Sequence, residues 1–315
     1  MANIHRINED RRNYRRDIEE PMTDQYRDED PELLNAFTDT SKDPLQESLC
    51  DVIKSCFPLV RNRSRLALVM FIIILIVFII QLIVDGVDPS NIENLEKVSF
   101  LPINLDGRFT STFCTFKIAI QTNHEIWRLV TSLFLHLTFE HIVNNALSTL
   151  ILCTFSSILF GTWTSILLIL LSGFTGNLYS ECWQSPSTRA GGFSTALFGL
   201  NGALLGYLIF NWRNMKKARL TKFIIIIFLV LSLFISIITA IRYTSGGKKD
   251  HEIDNSAHFG GFVSGVFLAM FMSPIFKNPP QMKNNLLTTM KNIKIAGIIL
   301  SVCFMLGSAL FLFIF

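Results

Sequence analysis

The stretch DNSAHFGGFVSG, residues 254–265, opens an apolar run that continues to Pro274. Its first turn sets an aspartate, an asparagine and His258 among alanine and glycines, where a lipid-facing helix would carry Leu or Val. Such a segment has to face other protein. Its reading therefore depends on what the rest of the chain delivers to the same depth.

Half of the 315 residues are hydrophobic, 28 of them Phe, and the apolar residues come in long runs. Seven stretches, approximately 66–84, 141–160, 162–182, 194–212, 220–241, 255–275 and 295–315, are long enough or nearly so to cross a bilayer. The first and fifth are almost pure Ile, Leu, Val and Phe. The second, third, fourth and sixth are diluted with Ser, Thr, Gly, Asn and His, which predicts that they pack on one another. The fold class expected is an all-α polytopic membrane protein.

Residues 1–50 hold 13 Asp and Glu against 7 Lys and Arg, few aromatics and no apolar core suited to a cleavable signal peptide. This polar stretch, taken as 1–60, predicts a disordered acidic cytosolic tail. Basic residues without acids precede the first span (Arg61, Arg63, Arg65), join the fourth and fifth (Arg213, Lys216, Lys217, Arg219, Lys222) and join the sixth and seventh (Lys277, Lys283, Lys291, Lys294). The positive-inside rule then puts the N-terminus in the cytosol and Phe315 on the far side, with spans two, four and six running inward. The six cysteines show no CxxC spacing, so no metal site and no cofactor are expected. Cys114 and Cys182 fall on the outer side, where a disulfide is conceivable. Cys50 and Cys56 read as free thiols in a position that palmitoylation could use.

Three outer helix ends carry the chemistry. Span two begins HLTFEHIVNNALS, with His141 and Asn145 four apart on one face. Span four begins GGFSTALFGLNGALLG, with Ser194 in its first turn, and span six brings His258. Thr195, Gly199, Gly202 and Gly206 form one small-residue stripe, and His258, Gly261 and Gly265 form another. Docking those stripes sets Ser194 beside His258. A serine hydroxyl needs a base to become a nucleophile, and a neutral imidazole is one. The oxyanion produced by its attack needs donors; Asn145, His141 and the Ser194 backbone N–H are available. No aspartate within the spans is placed to orient His258, so the arrangement reads as a dyad.

These segments resemble the rhomboid intramembrane serine proteases over approximately residues 66–315, most specifically 125–265. The resemblance rests on EIWRLVTSLFLH (125–136), HLTFEHIVNN (136–145), SGFTGNLYS (172–180), GFSTALFGLNGA (192–203) and DNSAHFGG (254–261). It implies a bundle of six transmembrane helices over 61–276, with a linker and seventh C-terminal helix over 277–315. It further implies Ser194 as nucleophile, His258 as base, His141 and Asn145 as oxyanion donors, and Trp127 and Arg128 in a membrane-interface loop. A loop over 242–254, hinged at Gly246–Gly247, would cap the site. The activity implied is cleavage of single-span membrane proteins near the outer ends of their helices, by a multi-pass protein of the Golgi, plasma membrane or another secretory-pathway membrane. The partners are those substrates and the lipid bilayer, with no nucleic acid; the alternative is an inactive relative that binds membrane clients. Thr195 stands where the family's GxSG motif has its last glycine. Its branched side chain would either push spans four and six apart, at roughly 1–3 kcal/mol, or be absorbed by small neighbours.

Overall fold

Each of the seven apolar stretches lies in one helix. The computed structural model describes residues 49–86, 103–104, 106–213, 215, 219–245, 254–275 and 284–314. The helices are α1 (Leu49–Val84), three short ones, α2 (Arg108–Phe113), α3 (Lys117–Asn123) and α4 (Arg128–Thr131), then α5 (Phe139–Phe160), α6 (Thr162–Glu181), α7 (Ser194–Asn211), α8 (Arg219–Ser245), α9 (Asn255–Met272) and α10 (Asn284–Ile314). Two-residue strands β1 (Thr115–Phe116) and β2 (Arg189–Ala190) pair antiparallel, with Thr115 opposite Ala190. The chain divides into units Met1–Ser55 and Cys56–Phe315, and the second of these holds the helical bundle. Of the tail expected over 1–60, residues 1–48 lie outside the described residues, and 49–60 form the first turns of α1. Residues 246–253, including the expected Gly246–Gly247 hinge, and the side chains of Cys50 and Cys56 also lie outside them.

The chain is an all-α polytopic membrane protein. Arg65–Val84, Phe139–Phe160, Ser194–Asn211 and Leu286–Ile314 are each long and apolar enough to cross a bilayer. Along α1, Leu66, Met70, Ile74 and Phe78 recur at helical spacing and are buried, while Leu68, Ile72, Ile76, Ile79 and Ile83 are exposed. The same one-sided exposure covers α10 at Ile295, Ile299, Val302, Leu306 and Leu310. In water such faces would be a fault; against lipid tails they are solvated. In α6 and α9 the polar and small residues are the inward ones. Ser165, Ser172, Gly173, Thr175, Gly176 and Asn177 are buried on α6, and Gly260, Gly261, Ser264 and Gly265 on α9. All four tryptophans are exposed at helix ends: Trp127 and Trp183 at the end where α5, α7 and α9 begin, Trp163 and Trp212 at the other. Such paired belts fit two membrane interfaces.

At the centre stands α7, buried from Thr195 to Asn211 on nearly every turn. It meets α9 backbone to backbone. A Cβ on Gly202 would strike the Phe262 carbonyl, one on Gly206 the Val266 carbonyl, and one on Gly265 the Gly199 carbonyl. On the α6 side a Cβ on Gly199 would strike the Ser172 side chain. Thr195 does not hold the helices apart. Its Cγ2 methyl lies where a Cβ on Gly176 of α6 would be, and its carbonyl lies where one on Gly261 would be. The volume gained at the motif position is given back by a glycine on the facing helix.

Gly265→Ala is expected to destabilise the bundle by about 1–3 kcal/mol or more, because backbone cannot yield as a rotamer can. Gly307→Ala, whose added Cβ would have nothing within 4 Å, should leave stability unchanged. Unfolding titrations in mixed micelles compare the two. Gly176→Ala should also destabilise, and adding Thr195→Gly should recover part of the loss. Equal loss in the single and double variants would show that the Thr195 methyl does not fill that recess.

Candidate active site

The first turn of α7 carries Ser194, preceded by Gly192 and the fully buried Phe193. The glycine is required by space: a Cβ there would press into the His141 imidazole and come within 3.4 Å of the Ser194 hydroxyl. His141 and Ser194 therefore border one small volume. Thr138 caps α5, its hydroxyl accepting the His141 backbone N–H at 3.1 Å. One turn further along, Asn145 is buried and its Nδ2 amide has no hydrogen-bond partner.

Across the α7–α9 contact, His258 Nε2 lies 2.8 Å from Ser194 Oγ. Its ring stacks on Phe198, one turn below the serine, with centroids 4.2 Å apart and planes 11° from parallel. Asp254 does not face the ring. It caps α9, accepting the Ala257 N–H at 2.8 Å on one oxygen and the Ser180 hydroxyl on the other. Burial raises its carboxyl above the usual carboxylate range, against the pull of those donors. The residue that holds the imidazole flat is thus an aromatic, and nothing in the sequence spacing singled out Phe198 for it. Among the described residues no group of three or more His, Cys, Asp or Glu is placed to hold a metal ion.

Residues 106–138, before α5, pack at this end of the bundle. Asp85, after α1, accepts the N–H groups of Phe109 and Thr110, both at 2.7 Å, and so caps α2 from outside it. Gln81 donates to Thr110 Oγ1 at 3.1 Å and accepts the His136 N–H at 2.9 Å. Trp127 and Arg128, neighbours in sequence, part company: Trp127 is half exposed and Arg128 is buried. The Arg128 guanidinium pairs with Glu125 at 2.5 Å and donates to the carbonyls of Ser111 and Cys114 at 2.8 and 3.0 Å. Asn177 of α6 donates to the Leu129 carbonyl and to Ser132 Oγ. Cys114 and Cys182 are free, buried thiols, so the conceivable disulfide is not formed. Burial pushes the Cys114 thiol up to about 11.

His136 is a residue that the pattern of the sequence did not single out. It is fully buried, its two ring nitrogens have no partner, and its ring meets His141 edge-on at 5.3 Å. Burial, with His141 beside it, holds it well below the ordinary imidazole range and hence neutral.

Residues 123–275, which contain all of these groups apart from those before residue 123, match a family model described as Rhomboid domain. The chain is 34% identical over 149 residues to RHOMBOID-like protein 5 of Arabidopsis thaliana, covering 47% of this chain and 44% of that relative. It is 29% identical over 180 residues to Rhomboid protease GluP of Bacillus subtilis, covering 56% and 32%. Inactive RHOMBOID-like protein 8 of Arabidopsis thaliana is 31% identical over 173 residues, covering 53% and 45%. The chain thus spans less than half the length of each of these relatives. The Ser194 end of α7 thus lies in a stretch that matches the Rhomboid domain, and the chain is similar to rhomboid-like proteins over about half of its length.

Proposed function

We propose that this chain is an intramembrane serine endopeptidase in which Ser194 and His258 form a catalytic dyad. The observation that carries the reading is the 2.8 Å contact between His258 Nε2 and Ser194 Oγ, a part-buried pair where α7 meets α9. The Ser194 oxygen attacks a peptide carbonyl carbon while His258 Nε2 takes the hydroxyl proton. The negative charge on the carbonyl oxygen falls to the Ser194 backbone N–H, the unpartnered Asn145 amide and His141. His258 then passes its proton to the leaving amine. Water, deprotonated by the same imidazole, releases the acyl group and restores the serine.

The substrates are single-span membrane proteins cut near the end of the helix that faces away from the cytosol. The acid-free basic connections at the opposite end of the bundle support that orientation. Six helices and the interface segment form the catalytic part, and α10 adds a seventh span. A second reading, an inactive relative that holds membrane clients, draws on the similarity to a relative named inactive and on Thr195 at the motif glycine.

The experiment that separates the readings is co-expression with a panel of tagged single-span proteins. Ser194→Ala and His258→Ala should each abolish cleavage, and the double variant should be no worse than either, because the pair acts as a unit. Near-normal turnover by His258→Ala would remove the dyad from the mechanism; an inactive wild type that still captures clients would favour the second reading. Asn145→Ala and His141→Ala should each lower turnover by on the order of 10²-fold or less, since each removes one of several donors. A change in client binding alone would make those residues structural.

The depth of the site also limits what is cut. A stable helix keeps its carbonyls in i→i−4 bonds and out of reach of Ser194, so the scissile segment has to unwind. Substrates should carry Gly, Pro or β-branched residues in the turns near the cut and a small residue at it. Replacing those turns with polyleucine should sharply reduce cleavage, and restoring one Gly or Pro should recover it. Equal cutting of both forms would favour side-chain pockets over helix instability as the selector.

A further inference from the structure

The glycine seats between α7 and α9 stop one turn short of His258. Gly261 and Gly265 rest on the Thr195 and Gly199 carbonyls, whereas His258 stands in the turn before them, at the end of the helix. Helix ends fray unless their first turn is tied down. Apart from the contacts of the His258 ring, the described ties of that turn lead to α6. Ser180 donates its hydroxyl to the Asp254 carboxyl that caps α9, and Tyr179 lies where a Cβ on Gly260 would be. The Tyr179 ring also meets Phe259 at 5.7 Å. The last turn of α6 is therefore a clamp on the first turn of α9.

That clamp is backed by α10. Phe304 stacks on the Tyr179 ring, with centroids 5.4 Å apart and planes 26° from parallel, and meets Phe267 of α9 edge-on at 6.2 Å. Phe311 stacks on Trp183 at 5.5 Å, and the Cys182 thiol donates to the Ser308 carbonyl at 3.3 Å. Gln121 of α3 donates to the Leu312 carbonyl, and Leu312 is buried in one cluster with Ile120, Leu129, Leu178 and Cys182. At the other end of α10, a Cβ on Gly297 would strike the backbone of Phe267 and Phe271, so α10 lies directly against α9 as well. A helix serving only as an added anchor needs little beyond lipid contact. The inward face of α10 meets instead the residues that fasten the turn carrying His258.

We propose that Phe304 and Tyr179 are positioning residues for the base. Phe304 holds the Tyr179 ring on Gly260, and that contact keeps the first turn of α9, and with it His258 Nε2, on Ser194. The proposal rests on the protease reading and gives the seventh span a part in the reaction. Loss of the clamp misplaces the base, so the effect belongs in kcat and not in KM.

With the full chain in nanodiscs, Phe304→Ala should lower kcat on a cleaved single-span substrate on the order of 10-fold, with KM unchanged. Labelling of Ser194 by a small fluorophosphonate should slow to a similar degree. Phe304→Tyr, which keeps the ring, should restore both rates. Tyr179→Ala should match Phe304→Ala, and the double variant should be no worse than Tyr179→Ala alone. Where Phe304→Ala does not fold, Phe304→Leu, which keeps the bulk without the flat ring, replaces it. The comparison for stability is buried Phe160, at the opposite end of α5 from His141. Whichever of Phe160→Leu and Phe160→Ala matches the unfolding midpoint of the Phe304 variant should label at the wild-type rate. Equal slowing in the two, or a rise in KM with kcat unchanged, overturns the proposal. A second measurement stands apart from activity. Amide hydrogens of residues 257–261 should exchange about tenfold faster in the Phe304 variant than in wild type or Phe304→Tyr, with those of α7 unchanged. Unaltered exchange there overturns the proposal even where no cleavage is seen. A wild type that neither cleaves nor labels, with the faster exchange present in the variant, removes the protease reading and leaves the clamp of α10 and α6 on α9 standing.

Discussion

The contact on which the rest depends is the one between α7 and α9, made with almost no side chains. Lipid tails are as apolar as leucine, so the hydrophobic effect does not press two membrane helices together; close packing and hydrogen bonds have to. Glycines at 199, 202, 206, 261 and 265 let the two backbones touch, and each is seated on a carbonyl or a small side chain of its neighbour. Contact of that kind has no rotamers to adjust and so fixes the two helices in one register. The Ser194–His258 distance is a consequence of that register, set by the glycines one to three turns below.

A polar site in such a bundle is tolerable only if its surroundings are paired. Around the first turns of α5, α7 and α9 that pairing is thorough: Asp85 and Thr138 cap helices, Arg128 is shared among one carboxylate and two carbonyls, and Asn177 spans two elements. Against that background the unpartnered groups stand out. The Asn145 amide and the His136 ring are buried without acceptors or donors. A buried amide donor left open suits the stabilisation of a transient oxygen anion, since a donor already engaged would have to let go first.

Much of this was legible in the sequence, and the division is physical. Spans are long runs whose signal sums over many residues, so each of the seven stretches falls in a helix of its own. Ser194, His258, His141 and Asn145 were conspicuous because polar groups are rare in apolar helices. The Gly stripes could be read because helical spacing alone decides which residues share a face. What escaped depended on facing elements. The burial of Arg128 beside an exposed Trp127, the stacking of Phe198 on His258, and Asp85 capping a helix that begins well beyond it in the chain are set by tertiary neighbours. Thr195 is the sharpest case. Its branching left two outcomes open along α7, obstruction or absorption by small neighbours, and only the facing α6 reveals that Gly176 supplies the room.

The same logic separates the helices of the bundle that are held by backbone from those held by side chains. Rigidity follows from backbone contact, which is all or nothing: a glycine interface either seats or does not form. Compliance follows from side-chain contact, which can be given up one rotamer or one hydrogen bond at a time. The Ser194–His258 pair sits on the seated side, between α7 and α9, whereas the described contacts of α8 include a cation over a ring, an aromatic stack and a serine hydroxyl on Asn201. Had His258 stood on a helix held by side chains alone, its distance from Ser194 would change with every rotamer exchanged at that contact; on α9 the seated backbones fix it.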